Sequence, residues 1–274
     1  MWGGDGATAG PEWDGHLMLL HESAAERRAG VAAWVRRGLD LGEKVLYAEG
    51  PDEQAGSLVE ALEAHEVDAA TARREGRLAL VPLAEFYPAD GQRLVVDRAL
   101  AEGFPAVRVS VGVLGALTIL SAGHHLTVER RLEELVRSLP VSALCQYARD
   151  SCRGPTLREA VGVHVPGIRE ACLRTGESEL GLVLRGEADA GNAEVLEAAV
   201  TAFTDVPPCV LCLDLAELTF IDVAACRALV QGSRDLRASG GRVLLVAPPP
   251  PIERTLGLLG LSDLPGFQLV GEGP

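Results

Sequence analysis

Short runs rich in Val, Leu and Ala alternate with segments of helical periodicity along most of this chain, and that alternation most narrows the folds open to it. Leu17–Leu20, Lys44–Glu49, Arg77–Pro82, Ala106–Val111 and Val141–Tyr147 read as strands. Between them, Ser23-Ala-Ala-Glu26 has the spacing of a capping box, and Val31, Trp34, Val35 and Leu39 continue at helical spacing. Further helices are expected around Leu58 and Leu62, through Val95, Val96 and Leu100, and over Leu126–Leu139, with the His124-His125 pair in the loop before the last. Strands separated by helices argue for a mainly parallel sheet covered on both faces.

After Tyr147 the pattern loosens, and His164-Val-Pro166-Gly167 reads as the end of a domain. A second block follows, with strands at Ile168–Leu173 and Leu180–Leu184, a turn at Arg174–Ser178, a helix over Ala193–Phe203 and a strand at Cys209–Leu215. A helix over Ala224–Ala238, a strand at Arg242–Ala247, a proline run, a helix near Leu256–Leu259 and a strand at Phe267–Val270 complete it. At 274 residues the chain is nearly twice the usual domain size. We expect a glycine-rich flexible leader over 1–15 and domains over 16–167 and 168–274.

The net charge of −14 opposes non-specific binding to nucleic acid or anionic lipid, so neither is expected as a partner. Lys44 is the sole lysine among 25 basic residues and has no glycine-rich turn before it, which argues against a phosphate loop. Cys209-Val-Leu-Cys212 has metal-ligand spacing but sits in an apolar strand with no second pair, so it reads as core; no metal or cofactor is expected. His21 and Glu22 are adjacent on a strand and point to opposite faces, and no nucleophile elbow is present, so no catalytic residues are assigned. With no signal peptide and no apolar run long enough to span a bilayer, a cytoplasmic protein is expected.

In the second block, Leu182-Val-Leu-Arg-Gly-Glu-Ala-Asp189, Asn192, Leu213-Asp-Leu215, Thr219-Phe-Ile-Asp222, Arg227-Ala-Leu229 and Gly241–Ala247 resemble the STAS domain of anti-sigma factor antagonists. The resemblance covers roughly 168–271. It implies a small sheet with helices on one side and a protein-docking surface at Asp189, Asn192, Asp222, Val223 and Ala224. Independently, Asp222 before a helix is placed to cap free amides and to favour the helix dipole. In the family a serine just after this aspartate accepts phosphate from a partner kinase. Here Val223, Ala224 and Ala225 follow, and none carries a hydroxyl.

The first block resembles the MEDS domain, a sensory module related to RecA-like ATPases but lacking the phosphate loop. The residues that carry this are His16, Gly38–Tyr47, Gly76–Val81 with Tyr87, Ala101–Arg108, Glu129, Leu144-Cys-Gln-Tyr147 and His164. Two positions depart from the family: Ala148 replaces an acidic residue, and Ser110–Leu114 replaces a Gly-Glu-Met-aromatic stretch. The two resemblances together imply an α/β chain, a RecA-like mainly parallel sheet domain followed by a small STAS-type α/β domain. Ligands of parallel sheets bind beyond the strand carboxyl ends, so a small-molecule ligand is placed at Glu49, Arg108 and Tyr147. An Arg108–Glu129 structural ion pair weighs equally with that role. The function expected is a non-enzymatic bacterial signalling regulator whose partner is an anti-sigma factor or related serine kinase, acting in transcription control. A nucleotide-hydrolysing enzyme and a structural hub of a signalling complex are the alternatives.

Overall fold

The computed structural model describes residues 13–49, 55–88, 90–117, 120–165, 167–179, 181–204 and 210–271. The chain forms two compact units, Met1–Cys152 and Arg153–Pro274. The second opens with α8 (Gly154–His164), a helix the loosened pattern did not announce. Most of the expected leader, and Cys209, lie outside the described residues.

The first unit runs β1 (His16–His21), α1 (Ala24–Asp40), β2 (Lys44–Glu49), α2 (Ala55–Glu63), α3 (Ala69–Arg74) and β3 (Leu78–Pro82). It continues with α4 (Leu83–Phe86), α5 (Gly91–Ala101), β4 (Val107–Gly112), α6 (Val113–Leu117), α7 (Ala122–Ser138) and β5 (Val141–Ala148). Its strands lie in the order β1-β5-β4-β2-β3, every pair parallel. Parallel neighbours need long crossovers, which the helices supply. The first five residues of both β1 and β4 are all buried, the run expected of strands covered on both faces. One layer of that core gathers Leu17, Leu19, Val31, Trp34, Val35, Val45 and Leu144.

Local chemistry sets the helix ends. Ser23 caps α1, its Oγ accepting from the Glu26 amide at 3.2 Å, while the Glu26 carboxylate accepts from the Glu22 amide at 2.9 Å. The expected leader ends sooner than residue 15: Trp13 is buried, Asp14 pairs with Arg37 at 2.8 Å, and the Gly15 amide donates to Ser142 Oγ at 3.2 Å. The His124-His125 pair is not a loop. Ser121 caps α7 and draws both histidines into its first turn.

The second unit continues after α8 with β6 (Ile168–Arg169), β7 (Leu173–Ser178), β8 (Gly181–Ala188), α9 (Ala193–Thr204) and β9 (Val210–Ile221). Then come α10 (Val223–Gly232), α11 (Arg234–Ala238), β10 (Arg242–Val246), α12 (Pro250–Leu258) and β11 (Phe267–Val270). Strands β6, β7 and β8 pair antiparallel in that order, and β8, β9, β10 and β11 pair parallel. Leu211, Leu213 and Leu215 are buried while Cys212 and Asp214 between them are only partly so, the alternation of a sheet covered on one face. The core gathers Leu182, Leu196, Val200, Leu213, Leu229 and Leu245.

The fold departs from the sequence expectations at four places. Arg174–Ser178 is strand, not turn, because Leu173 and Thr175 alternate inward and Thr175 Oγ1 accepts from the Ile168 amide at 3.0 Å. Strand β9 runs on to Ile221 because register shifts in its pairing with β8 absorb the polar stretch after Leu215. Gly186, at φ 86°, supplies the left-handed backbone at one of those shifts. The helix expected over Ala224–Ala238 breaks at Ser233, whose hydroxyl donates back to the Leu229 carbonyl at 2.6 Å. The proline run opens α12 instead of preceding it, since proline fits a helix's first turn. Among the described residues no helix is long and apolar enough to cross a membrane.

Candidate functional site

In the first unit, α7 carries His125, Glu129 and Glu133 at four-residue spacing, which places the three on one helix face. Strands β1 and β5 meet that face in a register that sets His16 opposite Ala143 and Met18 opposite Cys145, so alternate residues His16, Cys145 and Tyr147 share one side of the sheet. Glu129, only 1% exposed, lies at the centre. Its Oε2 is 3.3 Å from His16 Nε2 and accepts from Cys145 Sγ at 3.0 Å. Its Oε1 accepts from Tyr147 Oη at 3.2 Å and lies 3.1 Å from His125 Nε2. Cys145 Sγ and His16 Nε2 are 3.6 Å apart, and His16 Nδ1 lies 2.9 Å from Glu133 Oε2.

A buried carboxylate is tolerated only with partners, and these groups supply them. Burial, reinforced by the Glu129 charge, pushes the Cys145 thiol and the Tyr147 phenol well up, so both are protonated donors. Burial and Glu129 also push the Tyr87 phenol up. For His16, burial acts downward, but Glu129 and Glu133 outweigh it and raise its value. Burial acts upward on Glu133, but His16 and Arg137 hold it down to about 2. A protonated, buried thiol is no nucleophile. Imidazole, thiol and carboxylate converging on one point are, however, donors that a metal ion takes.

The sequence places a ligand at Glu49, Arg108 and Tyr147, and the fold does not bring these three together. Arg108 pairs in register with Ser142, near the amino end of β5, five residues from Tyr147 and so about 16 Å along the strand. Glu49 ends β2, its neighbour Ala48 being level with Val111 and, through it, Cys145. Arg108 is fully buried and fully engaged: it pairs with Glu43 and Asp14, donates to the Trp13 carbonyl at 2.7 Å, and stacks 5.4 Å from the Trp34 ring. Its partners are thus these carboxylates and not Glu129. Gly38 leaves room for its stem, since a Cβ there would lie 2.5 Å from Arg108 Cδ. Lys44 is likewise at the amino end of β2, paired with Glu102 at 2.5 Å and 5.0 Å from the Phe104 ring.

At the end of β1, burial and the Arg27 cation lower His21 to about 4. The imidazole is therefore neutral in the fold, and its contribution is present above pH 6.5 and lost as pH falls toward 4. We expect acidification across that window to cost about 1–2 kcal/mol of stability at this partly exposed site. His21→Gln should flatten the slope in urea melts; an unchanged slope would contradict it.

In the second unit, Asp222 joins the two loops expected to dock a partner. It caps α10 with Oδ1 accepting from the Ala225 amide at 2.8 Å, and its Oδ2 accepts from the Ala190 amide at 3.0 Å. Asn192 is buried and fastens the other loop, accepting from the Asp189 amide at 3.0 Å and donating to the Glu187 carbonyl at 2.9 Å. So Asp189, Asn192, Asp222, Val223 and Ala224 form one surface region, with Asp222 and Asn192 holding it from within. Val223 is 47% exposed and Phe220, which the sequence reading left out, is 48% exposed. Its place beside Asp222 was legible; that it lies on β9 and faces outward was not.

A family model described as "MEDS: MEthanogen/methylotroph, DcmR Sensory domain" matches residues 15–165, and one for the STAS domain matches 173–271. No curated protein matches the chain. Among solved structures, a KaiC-like protein from the hyperthermophilic archaeon Pyrococcus horikoshii OT3 is similar at 15% identity, over 63% of this chain and 78% of that one, with a TM-score of 0.45. The anti-sigma factor antagonist SpoIIAA, in its unphosphorylated form, is similar at 22% identity, over 37% of this chain and 90% of that one, with a TM-score of 0.30. At those scores the architecture stands on the strand order above.

Proposed function

This chain belongs to the MEDS family of sensory domains and carries a STAS domain behind it, and from that premise we propose a non-enzymatic signalling regulator whose STAS unit docks an anti-sigma factor or related serine kinase. The observation that carries the reading is the Asp222 loop, where an engaged aspartate holds two loops together and leaves Phe220 and Val223 outward. Two apolar side chains beside a helix start offer a partner a dry contact. Because Val223, Ala224 and Ala225 lack hydroxyls, no phosphate can be added there to bring roughly −1.5 to −2 charges into the contact. The complex is then constitutive with respect to serine phosphorylation, and control falls to the sensory unit.

Lys44, the lysine a nucleotide-hydrolysing reading would need, is held by Glu102 at the amino end of its strand, which supports the non-enzymatic reading. The test mixes the full chain with the host's anti-sigma kinases and ATP. The expected result is a complex that persists, with no phosphate on 223–225 by mass spectrometry and no turnover by the chain alone. Release of the partner on phosphorylation, or ATP hydrolysis by the chain, would overturn it.

A further inference from the structure

We propose that His16 Nε2, Glu129 Oε2 and Cys145 Sγ form a binding site for a divalent metal ion of zinc's class. Imidazole with thiolate is a donor set that magnesium and calcium do not take, whereas zinc takes both together with a carboxylate. The spacing fits. Zinc bonds of about 2.0–2.1 Å to nitrogen and oxygen and about 2.3 Å to sulfur, at tetrahedral angles, set the donors about 3.3 Å (N to O) and about 3.6 Å (N to S and O to S) apart. The separations here are 3.3 Å for His16 to Glu129, 3.6 Å for His16 to Cys145 and 3.0 Å for Cys145 to Glu129. Two edges of the tetrahedron already stand at their length. The third is short because the thiol still donates a hydrogen bond along it, and it opens by about half an ångström when that proton goes.

The surrounding groups are those a metal site needs to hold its ligands. Glu133 sits on His16 Nδ1 at 2.9 Å, which orients the ring so that Nε2 faces the other two donors. Tyr147 and His125 occupy the other oxygen of Glu129, leaving Oε2 for the ion. The three donors are buried, at 8%, 1% and 0% exposure, and come from a strand, a helix and a second strand, so the fold and not a loop positions them. Loading is a proton exchange: the dication enters, while the Cys145 thiol proton and the His16 Nε2 proton leave to solvent. The pocket's net charge is then unchanged, and no oxidant or reductant is involved.

The test uses the full chain, stripped with a chelator and titrated with cobalt(II) and then zinc(II). One equivalent of cobalt should bind with a thiolate-to-metal charge-transfer band that zinc bleaches by displacement. Cys145→Ser and His16→Gln should lose the band, and Glu133→Gln should weaken binding about 10–100-fold. Cys172→Ser, at an exposed thiol, should change nothing. The wild-type chain decides the matter should a variant fail to fold. If it binds no cobalt, or if the band survives Cys145→Ser, the proposal is overturned and the cluster is a hydrogen-bonded core.

Discussion

Arg108→Met should lower the unfolding free energy by about 3 kcal/mol. The guanidinium is completely buried, and in its place the Trp13 carbonyl would lose a donor while Glu43 and Asp14 would lose their shared cation. Breaking a buried pair from one side costs about 3–5 kcal/mol because the other charge stays behind. The lower end applies here because Asp14 keeps Arg37 at 2.8 Å and is 36% exposed. Burial pushes the Asp14 carboxyl upward, but hydrogen bonds from Arg37 and Arg108 hold it below the usual range. That stabilisation is present above about pH 4 and lost as pH falls through the lowered value, so the penalty of Arg108→Met should shrink in acid. Arg108→Lys keeps the charge but not the fork, and should recover only part of the loss. Urea melts of the three proteins decide it; wild-type stability for Arg108→Met would mean that the side chain is held there for a ligand instead.

Val223→Asp should weaken partner binding by about 100-fold or more while leaving the fold intact. Val223 is the first residue of α10 and 47% exposed, so truncating or charging it removes little packing. A carboxylate in a helix's first turn is favourable by a few tenths of a kcal/mol, which offsets its repulsion from Asp222. Against a docked partner the balance reverses, because the new charge must give up water for an apolar contact. Thermal unfolding should therefore be unchanged within about 0.5 kcal/mol while calorimetric binding is lost. Val223→Ala, which removes apolar area alone, should cost about tenfold at most. Equal affinity for wild-type and Val223→Asp would show that the loop only starts the helix.

Periodicity alone specified the alternation of strands and helices in the first block, its parallel sheet and the α1 capping box, because each depends on residues close in sequence, whereas α8 and the strand over Leu173–Ser178 escaped it. The absence of hydroxyls after Asp222 was equally plain, as it is a matter of residue identity. What the sequence could not rank was partnership across long separations. Arg108 was legible as a charge on a strand but not as one satisfied by Glu43 and Asp14, since those contacts span 65 and 94 residues. His16, Glu129 and Cys145 carried a faint signal, the four-residue spacing of His125, Glu129 and Glu133. Only the β1–β5 register, which sets Met18 beside Cys145, brings donors 129 residues apart to 3.6 Å. Local propensity decides which face a side chain takes; tertiary packing decides what waits on that face.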